Sequence, residues 1–311
     1  MRVLITGGDG FIGSHVSRQL VQKHEVSILT LNHKQELIKD IENKVQIIEG
    51  DITDENLVKE AMNEIQPEVI VHLAAFGIDD KGVAKSVELD PETAFSVNIT
   101  GTYYLYCAAV ENNVKQMILS SSTTVYPTKD KVKVEFVDES FERGASNLYG
   151  LTKVMVEKMA DYFLLHYKMP TLSLRLPLVY GPGRWYRGAG GPFVDIFEAV
   201  KQKQMTKING TTETLDLMYV KDVAYLIDDI VEKSLGSSGV VNVKSHSTSI
   251  PEMIKIINSL VGEELLEFEK TNQMPVYPLI RTDTSEKLLN LQPRFTIKEA
   301  CQDFLEELEL I

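Results

Sequence analysis

The chain has 311 residues, of which 43% are hydrophobic and 25% are charged, which suits one large α/β unit or a large lobe with a smaller one. The formal net charge of -13 argues against nucleic acid or an anionic membrane as the main partner. We find no signal-peptide pattern and no apolar run of membrane-spanning length, so we expect a cytoplasmic protein. Cys107 and Cys301 fit no metal-binding spacing, so we expect reduced thiols and no metal.

The first half of the chain alternates short β-branched runs with amphipathic segments. Buried strands are predicted at residues 3–6, 26–30, 45–49, 69–73 and 116–120. The stretches between them have the apolar spacing of helices that pack on a sheet. Alternation of this kind predicts a parallel, doubly wound α/β sheet, and such sheets bind ligands beyond the carboxyl ends of their strands.

A glycine-rich turn follows the first predicted strand. Gly7, Gly10 and Gly13 are spaced Gly-x-x-Gly-x-x-Gly and open a predicted helix. Glycine there allows the backbone to approach a pyrophosphate, which then sits at the helix N-terminus. Gly8, Gly10 and Gly13 also satisfy Gly-x-Gly-x-x-Gly, so the spacing predicts a dinucleotide site without settling its subclass.

The residues at the ends of the second and third strands do not decide between NAD and NADP as the cofactor. The second strand ends at Thr30, where many dinucleotide folds place an acidic residue on the adenosine ribose. No carboxylate stands there to repel a 2′-phosphate, and Lys34 or His33 could attract one, so NAD and NADP are both possible. Asp51 could hydrogen-bond the adenine or cap the next helix, a role that Thr53 or Asp54 could equally fill.

Tyr149 and Lys153 are four residues apart, so on a helix they lie on one face. A free tyrosine titrates at about 10. An adjacent ammonium and a positively charged nicotinamide would lower the pKa of Tyr149 into the working range of a base. Together with the glycine turn, the pair predicts hydride transfer at an alcohol carbon, and a hydroxyl among residues 120–122 could hold the substrate oxygen.

The second half is less regular. Segments 93–110 and 149–165 predict helices with wide apolar surfaces, which are buried either within the protein or against a second copy. The glycine- and proline-rich segment 181–192 predicts a mobile loop over a ligand site. We assign residues 1–178 to a dinucleotide-binding domain to which 218–245 returns, and 179–217 with 246–311 to a smaller lobe.

Several motifs together closely resemble the extended short-chain dehydrogenase/reductase family, in particular its nucleotide-sugar epimerase/dehydratase branch. They lie at residues 5–15, 72–75, 98–102, 120–126, 149–153, 175–183 and 219–223, and the resemblance covers nearly the whole chain. It implies a Rossmann-type sheet with a smaller C-terminal substrate-binding lobe, a nucleotide sugar as the small-molecule substrate, and a homodimer.

The resemblance also implies site residues. Tyr149 would take a proton from a sugar hydroxyl, Ser122 would orient that oxygen, and Lys153 would hold the nicotinamide ribose. Asn98 would brace the active-site backbone. The cofactor would be bound by Gly7, Gly10, Phe11, Ile12, Gly13, Thr30, Lys34, Asp51, Ile52, Leu73, Ala74, Ala75, Asn98, Tyr149, Lys153 and Pro177.

Thr123 and Thr124 depart from the family pattern. Dehydratases of the family, which remove water across C4–C6 of the sugar, look to have an Asp-Glu pair at these positions. A threonine cannot act as a carboxylate acid or base. The departure argues against a 4,6-dehydratase and leaves the two threonines as substrate-binding candidates.

Two substrate-binding positions also differ from the family pattern. Leu178 stands where many relatives have an asparagine that faces the substrate, and Leu215 where many have an arginine on the diphosphate. Arg281 corresponds to a phosphate-binding arginine of relatives, and Arg184 and Arg187 could compensate for the missing one.

Four functions remain open. The first is a nucleotide-sugar 4-epimerase with a recycled cofactor, and the second is an NADPH-dependent reductase of a 4-keto-6-deoxy nucleotide sugar. The third keeps the chemistry but acts on a small hydroxy or keto compound without a diphosphate. The fourth is a dinucleotide-binding protein without catalysis, against which the complete set of Ser122, Tyr149 and Lys153 argues.

Overall fold

The computed structural model describes residues 1–33, 35–233, 235–271, 274–290 and 292–311. Its strands are β1 (Arg2–Thr6), β2 (Glu25–Thr30), β3 (Gln46–Glu49), β4 (Val69–His72), β5 (Gln116–Ser122), β6 (Phe136–Val137), β7 (Thr171–Leu176), β8 (Leu178–Tyr180), β9 (Thr206–Gly210), β10 (Leu215–Tyr219), β11 (Gly239–Asn242), β12 (His246–Thr248), β13 (Leu266–Lys270) and β14 (Leu279–Ile280). Its α-helices are α1 (Phe11–Leu20), α2 (Glu55–Ile65), α3 (Val83–Leu89), α4 (Pro91–Phe95), α5 (Thr102–Glu111), α6 (Leu148–Tyr167), α7 (Gly191–Gln202), α8 (Val220–Lys233), α9 (Ile250–Val261), α10 (Asp283–Leu289) and α11 (Ile297–Glu307).

The main sheet confirms the predicted Rossmann-type α/β fold. Within the described ranges it has seven strands in the order β11-β7-β5-β4-β1-β2-β3, all paired in parallel. Val3 and Ile5 of β1 pack into one hydrophobic core and Leu4 into the other. A strand that is apolar on both faces must be covered on both faces, and helices cover this sheet on each side.

A smaller set of strands pairs outside the main sheet. Strand β10 pairs in parallel with β8 and antiparallel with β12, while β9 pairs with β13 and β6 with β14. Strand β11 lies at one edge of the main sheet, and α8 packs against α1. None of the helices in the described ranges is long and apolar enough to cross a membrane.

The helix predicted over 93–110 is wrong as a single α-helix. The chain instead forms the short α4, a π-helical turn at Ser96–Gly101, and then α5. A π-turn is rare and often marks a functional site, because the extra residue redirects the side chains around it. Here it contains Asn98, which the sequence assigned to the active site.

Candidate active site

The glycine turn has the shape that a pyrophosphate requires. Gly7 has a φ of +68°, and a Cβ on Gly13 would lie 2.0 Å from the Gly7 carbonyl oxygen, so β1 and α1 join in a turn that only glycine permits. Gly10 precedes α1 as its N-cap and provides no side-chain cap. The N–H groups of the first turn of α1 are therefore available to a phosphate, and the turn fits a dinucleotide.

The carboxyl ends of β1 and β4 lie against this turn. A Cβ on Gly7 would approach Ala74 Cα to 3.2 Å, and the Ala74 N–H donates to Thr6 Oγ1 at 3.2 Å. His72 lies buried between Thr6 Oγ1, 2.6 Å from Nδ1, and Thr102 Oγ1, 2.8 Å from Nε2. Burial lowers the pKa of His72 to about 3. His72 is therefore neutral and fixes the backbone rather than exchanging protons.

Asn98 links the loop after β4 to the active-site helix. Its Oδ1 accepts a hydrogen bond of 2.9 Å from the Phe76 N–H, and its Nδ2 donates to Thr152 Oγ1 of α6 at 3.3 Å. The π-turn thus holds the segment that contains Ala74 and Ala75 at a fixed position relative to α6.

Tyr149 and Lys153 lie in the first turns of α6. Lys153 Nζ donates to the Ser120 carbonyl at 2.7 Å and lies 5.5 Å from the centroid of the Tyr149 ring. Burial lowers the pKa of Lys153 to about 8. Burial also raises the pKa of Tyr149 above its usual value. For the protein without a cofactor, the lowered pKa of Tyr149 that we predicted from the sequence is therefore wrong. Desolvation of the buried phenolate is the main cause of this rise.

The start of α6 packs directly on the turn after β5. A Cβ on Gly150 would lie 2.2 Å from the Thr124 carbonyl oxygen, so the glycine allows the helix and the turn to touch. In that turn Ser122 Oγ accepts hydrogen bonds from Thr124 N–H at 3.2 Å and Thr124 Oγ1 at 3.0 Å. The structure therefore brings Thr124, which is hydrogen-bonded to Ser122, against Gly150, the residue that follows Tyr149.

In the loop at 181–192, which we predicted to be a mobile loop over a ligand site, both arginines are engaged by neighbouring groups. The Arg184 guanidinium donates to the carbonyls of Val179 at 2.6 Å, Tyr186 at 3.2 Å and Arg187 at 3.2 Å. The Arg187 guanidinium pairs with Asp195 and Glu198 on α7. Both guanidinium groups are therefore bound by groups of the loop and of the β8 and α7 segments that flank it. The paired carboxylates were a readable signal, since they lie three residues apart on one helix face.

Tyr186 is a site residue that the sequence reasoning missed. Its ring meets the Phe11 ring edge-on, with centroids 6.1 Å apart, and it faces the Arg184 guanidinium at 4.3 Å. After burial, the nearby Tyr186 is the second cause that raises the pKa of Tyr149. The loop therefore brings an aromatic residue over the glycine turn and beside Tyr149.

Arg281 lines a cleft of about 280 Å³ together with Phe136, Lys244, Thr282, Asp283 and Glu286. Arg281 is exposed and lies 5.5 Å from the Phe136 ring centroid. Lys244, which the sequence reasoning did not single out, donates to Asp216 at 2.8 Å and to the Ile280 carbonyl at 2.9 Å. Of the two cations that line this cleft, Arg281 is exposed and Lys244 is half-buried.

The other predicted cofactor residues lie around the ends of the strands. Thr30, Phe11 and Pro177 are buried, Ile52 is buried under Gly101, and Ile12, Leu73 and Ala75 are half-buried. Asp51 is exposed and accepts the Thr53 N–H at 2.8 Å, whereas Asp54 caps α2. Lys34 lies outside the described residues. In the described part of the chain no group of three or more His, Cys, Asp or Glu could hold a metal ion.

A sequence model of the NAD-dependent epimerase/dehydratase family matches residues 3–243. The chain belongs to this family. It is therefore an enzyme of the extended short-chain dehydrogenase/reductase type, from a family of nucleotide-sugar epimerases and dehydratases that depends on a nicotinamide dinucleotide.

Relatives of known name agree with this assignment. The chain is 30% identical to the UDP-glucose 4-epimerase of Bacillus subtilis over 294 residues, which cover 85% of this chain and 84% of that protein. The structure of UDP-glucose 4-epimerase from Thermotoga maritima with UDP-glucose is 25% identical with a TM-score of 0.85, covering 99% of both chains. The Thermus thermophilus UDP-glucose 4-epimerase in complex with NAD has a TM-score of 0.81 at 25% identity, again over 99% of both chains.

Proposed function

We propose that this enzyme is a 4-epimerase of nucleotide sugars that oxidises the C4 hydroxyl and re-reduces it on the other face. The observation that carries the proposal is the contact of α6 with the turn after β5. This contact supports the proposal because it joins Gly150, the residue after Tyr149, to Thr124, whose hydroxyl bonds Ser122 Oγ. Such a turn can hold a sugar oxygen but has no carboxylate for the elimination of water.

The residues would share the chemistry as follows. Tyr149 takes the proton of the C4 hydroxyl and later returns it to the C4 oxygen, while Ser122 holds that oxygen. Lys153 keeps its ammonium near the Tyr149 ring, where the positive charge stabilises the phenolate. When bound, the nicotinamide supplies the acceptor and donor of the hydride and a further positive charge. That charge would offset the desolvation that raises the pKa of Tyr149.

We assign substrate binding to Thr123, Thr124 and the exposed Arg281, and the cofactor to the residues that the resemblance implies. Arg184 and Arg187 are not part of this proposal, because carbonyls and carboxylates already occupy their donors. The lobe formed by 179–217 and 246–311 would close over the sugar nucleotide. Substitution Arg281→Ala should weaken UDP binding about tenfold, measured by calorimetry, since it removes one charged hydrogen bond.

We further propose a homodimer in the cytoplasm. Helices α5 and α6 expose Tyr103, Leu151, Met155, Tyr162 and Leu165, with Leu165 at 66% exposure. An exposed apolar surface of this kind on two neighbouring helices suits burial against a second copy. The free thiols of Cys107 and Cys301 suit a reducing compartment.

One observation favours a second function, an NADPH-dependent 4-reductase of a 4-keto-6-deoxy nucleotide sugar. Burial raises the pKa of Tyr149, and a protonated tyrosine is the form that donates a proton to a keto oxygen. A third candidate, a small substrate without a diphosphate, is favoured by Leu178 and the buried Leu215 in place of polar substrate contacts.

The deciding experiment combines cofactor content with product analysis. The freshly purified protein is denatured, any released dinucleotide is identified by mass, and intact enzyme is incubated with UDP-glucose while C4 inversion is followed by proton NMR. One retained dinucleotide per chain and inversion without added cofactor would support the epimerase. Stoichiometric consumption of added NADPH with a keto sugar would support the reductase, and no stabilisation by UDP or TDP would favour the small substrate.

A further inference from the structure

We propose that Asn242 is a positioning residue for the substrate. It holds the backbone of Arg281 and, through Tyr126, joins it to the buried ion pair of Arg175 with Glu157 on α6. The inference rests on the proposed function, in which the exposed Arg281 binds a phosphate of the nucleotide sugar. It adds the residue that keeps this cation at a fixed position relative to α6.

Side chains from other elements hold the backbone of the segment that contains Arg281. Strand β14 pairs with β6 over only two residues, and the Arg281 N–H donates to a β6 carbonyl at 2.8 Å. The Ile280 N–H donates to Asp216 Oδ2 at 2.6 Å, and the Ile280 carbonyl accepts from Lys244 Nζ at 2.9 Å. The Arg281 carbonyl accepts from Asn242 Nδ2 at 3.2 Å. All four backbone groups of Ile280 and Arg281 are therefore bonded, three of them by side chains.

Asn242 also reaches into the interior of the protein. It is the last residue of β11 and is fully buried. The Tyr126 hydroxyl offers its single proton to Asn242 Oδ1 and to the carbonyl that follows β6, each at 2.9 Å. The same hydroxyl accepts from Arg175 Nη1 at 2.6 Å, and Arg175 pairs with Glu157. A buried chain of hydrogen bonds thus runs from the Arg281 carbonyl to α6.

The amide of Asn242 suits these two partners in one orientation. Nδ2 is a donor and faces the Arg281 carbonyl, whereas Oδ1 is an acceptor and faces the Tyr126 hydroxyl. The flipped amide would set Oδ1 against the carbonyl oxygen. An amide fixed at both ends holds the backbone from which the Arg281 side chain extends. Preorganisation of this kind lowers the entropy cost of binding a phosphate, so Asn242 should strengthen binding without touching the ligand.

A double-mutant cycle on UDP affinity tests this role. Calorimetry gives the Kd of UDP for the wild type, Asn242→Ala, Arg281→Ala and the double variant. We expect Asn242→Ala alone to weaken UDP binding about three- to tenfold. In the Arg281→Ala background it should cause no further loss, because Asn242 acts through Arg281. An unchanged Kd in Asn242→Ala, or a loss of the same factor in both backgrounds, would overturn the inference.

A matched variant separates this role from general damage. Asn258→Ala also removes a buried asparagine, whose Nδ2 donates to the Leu266 carbonyl at 3.0 Å, and should leave the Kd of UDP unchanged. A loss of UDP affinity in Asn258→Ala as large as that in Asn242→Ala would overturn the inference.

If Asn242→Ala does not fold, Tyr126→Phe takes its place in the cycle. It keeps the ring and removes the hydroxyl that fixes the amide. It should weaken UDP binding about threefold, and only when Arg281 is present. No loss, or an equal loss without Arg281, would overturn the inference. Because binding is measured without turnover, a failed epimerase assay leaves this result intact, whereas a wild type that does not bind UDP would overturn the role of Arg281 and this inference together.

Discussion

Arg175 and Glu157 meet at the centre of the protein as a two-pronged ion pair. Arg175 Nε lies 2.9 Å from Glu157 Oε1 and Nη2 lies 2.8 Å from Oε2, and both side chains are fully buried. Arg175 belongs to β7, and Glu157 follows Lys153 by one turn of α6. Ser121 Oγ, at the end of β5, donates to the same carboxylate at 2.6 Å. The pair therefore fixes α6, which contains Tyr149 and Lys153, against β5 and β7.

Glu157→Gln should destabilise the protein by about 3–5 kcal/mol, because it leaves the Arg175 charge buried without its partner. Urea unfolding of the wild type and the variant measures the loss. Asp161→Asn, which removes an exposed carboxylate from the same helix, is the matched control and should change the free energy of unfolding by about 0.5 kcal/mol or less. A loss in Glu157→Gln no larger than in the control would show that the pair contributes little.

Tyr149→Phe should lower the rate of sugar epimerisation by about 10²–10⁴-fold, because it removes the group that we propose to move the C4 proton. The variant should still retain its dinucleotide, which mass analysis of the denatured protein would show. Tyr167→Phe changes an exposed tyrosine on the same helix and should behave as the wild type. Turnover by Tyr149→Phe near the wild-type rate would remove Tyr149 from the mechanism.

Buried Lys153 makes stability depend on alkaline pH. Its pKa is about 8 in the folded protein and about 10.5 when exposed, so between these values the unfolded chain binds the extra proton. The buried ammonium lowers the free energy of unfolding by its full amount below pH 8, and this destabilisation disappears as the pH rises toward 10.5. The free energy of unfolding of the wild type, relative to Lys153→Met, should thus rise by up to about 3 kcal/mol between pH 7 and pH 10. Urea unfolding at a series of pH values checks the sign, and a flat difference would contradict it.

Gly150→Ala should impair the enzyme although alanine is the better helix former. The added Cβ would lie 2.2 Å from the Thr124 carbonyl oxygen, so α6 must shift away from the turn that contains Ser122. We expect a loss of about 1–3 kcal/mol in unfolding and a lower kcat. Gly144→Ala is the matched control, since its Cβ would meet Pro127 at an ordinary 3.5 Å. Equal stability of the two variants would show that the helix accommodates the methyl group.

Local patterns predicted much of this molecule. The five strands that we predicted in the first half all form, each within two residues of its predicted ends. Strand and helix periodicity are written in neighbouring residues, and so is the turn made by Gly7, Gly10 and Gly13. The break in the helix over 93–110 was missed because the π-turn is stabilised by contacts of Asn98 with Phe76 and Thr152, which lie far away in sequence.

The sequence by itself determined the parallel sheet, the dinucleotide turn and the placement of Tyr149 and Lys153 on one helix face, because these depend on spacing along the chain. Only the tertiary structure decided what each charge does. Arg184 and Arg187 turn inward to carbonyls and carboxylates, and His33 faces Asp9 and Glu42. Burial likewise reversed the expected direction of the Tyr149 pKa. Desolvation and ion pairing depend on neighbours that the fold brings together, and no spacing along the chain encodes them.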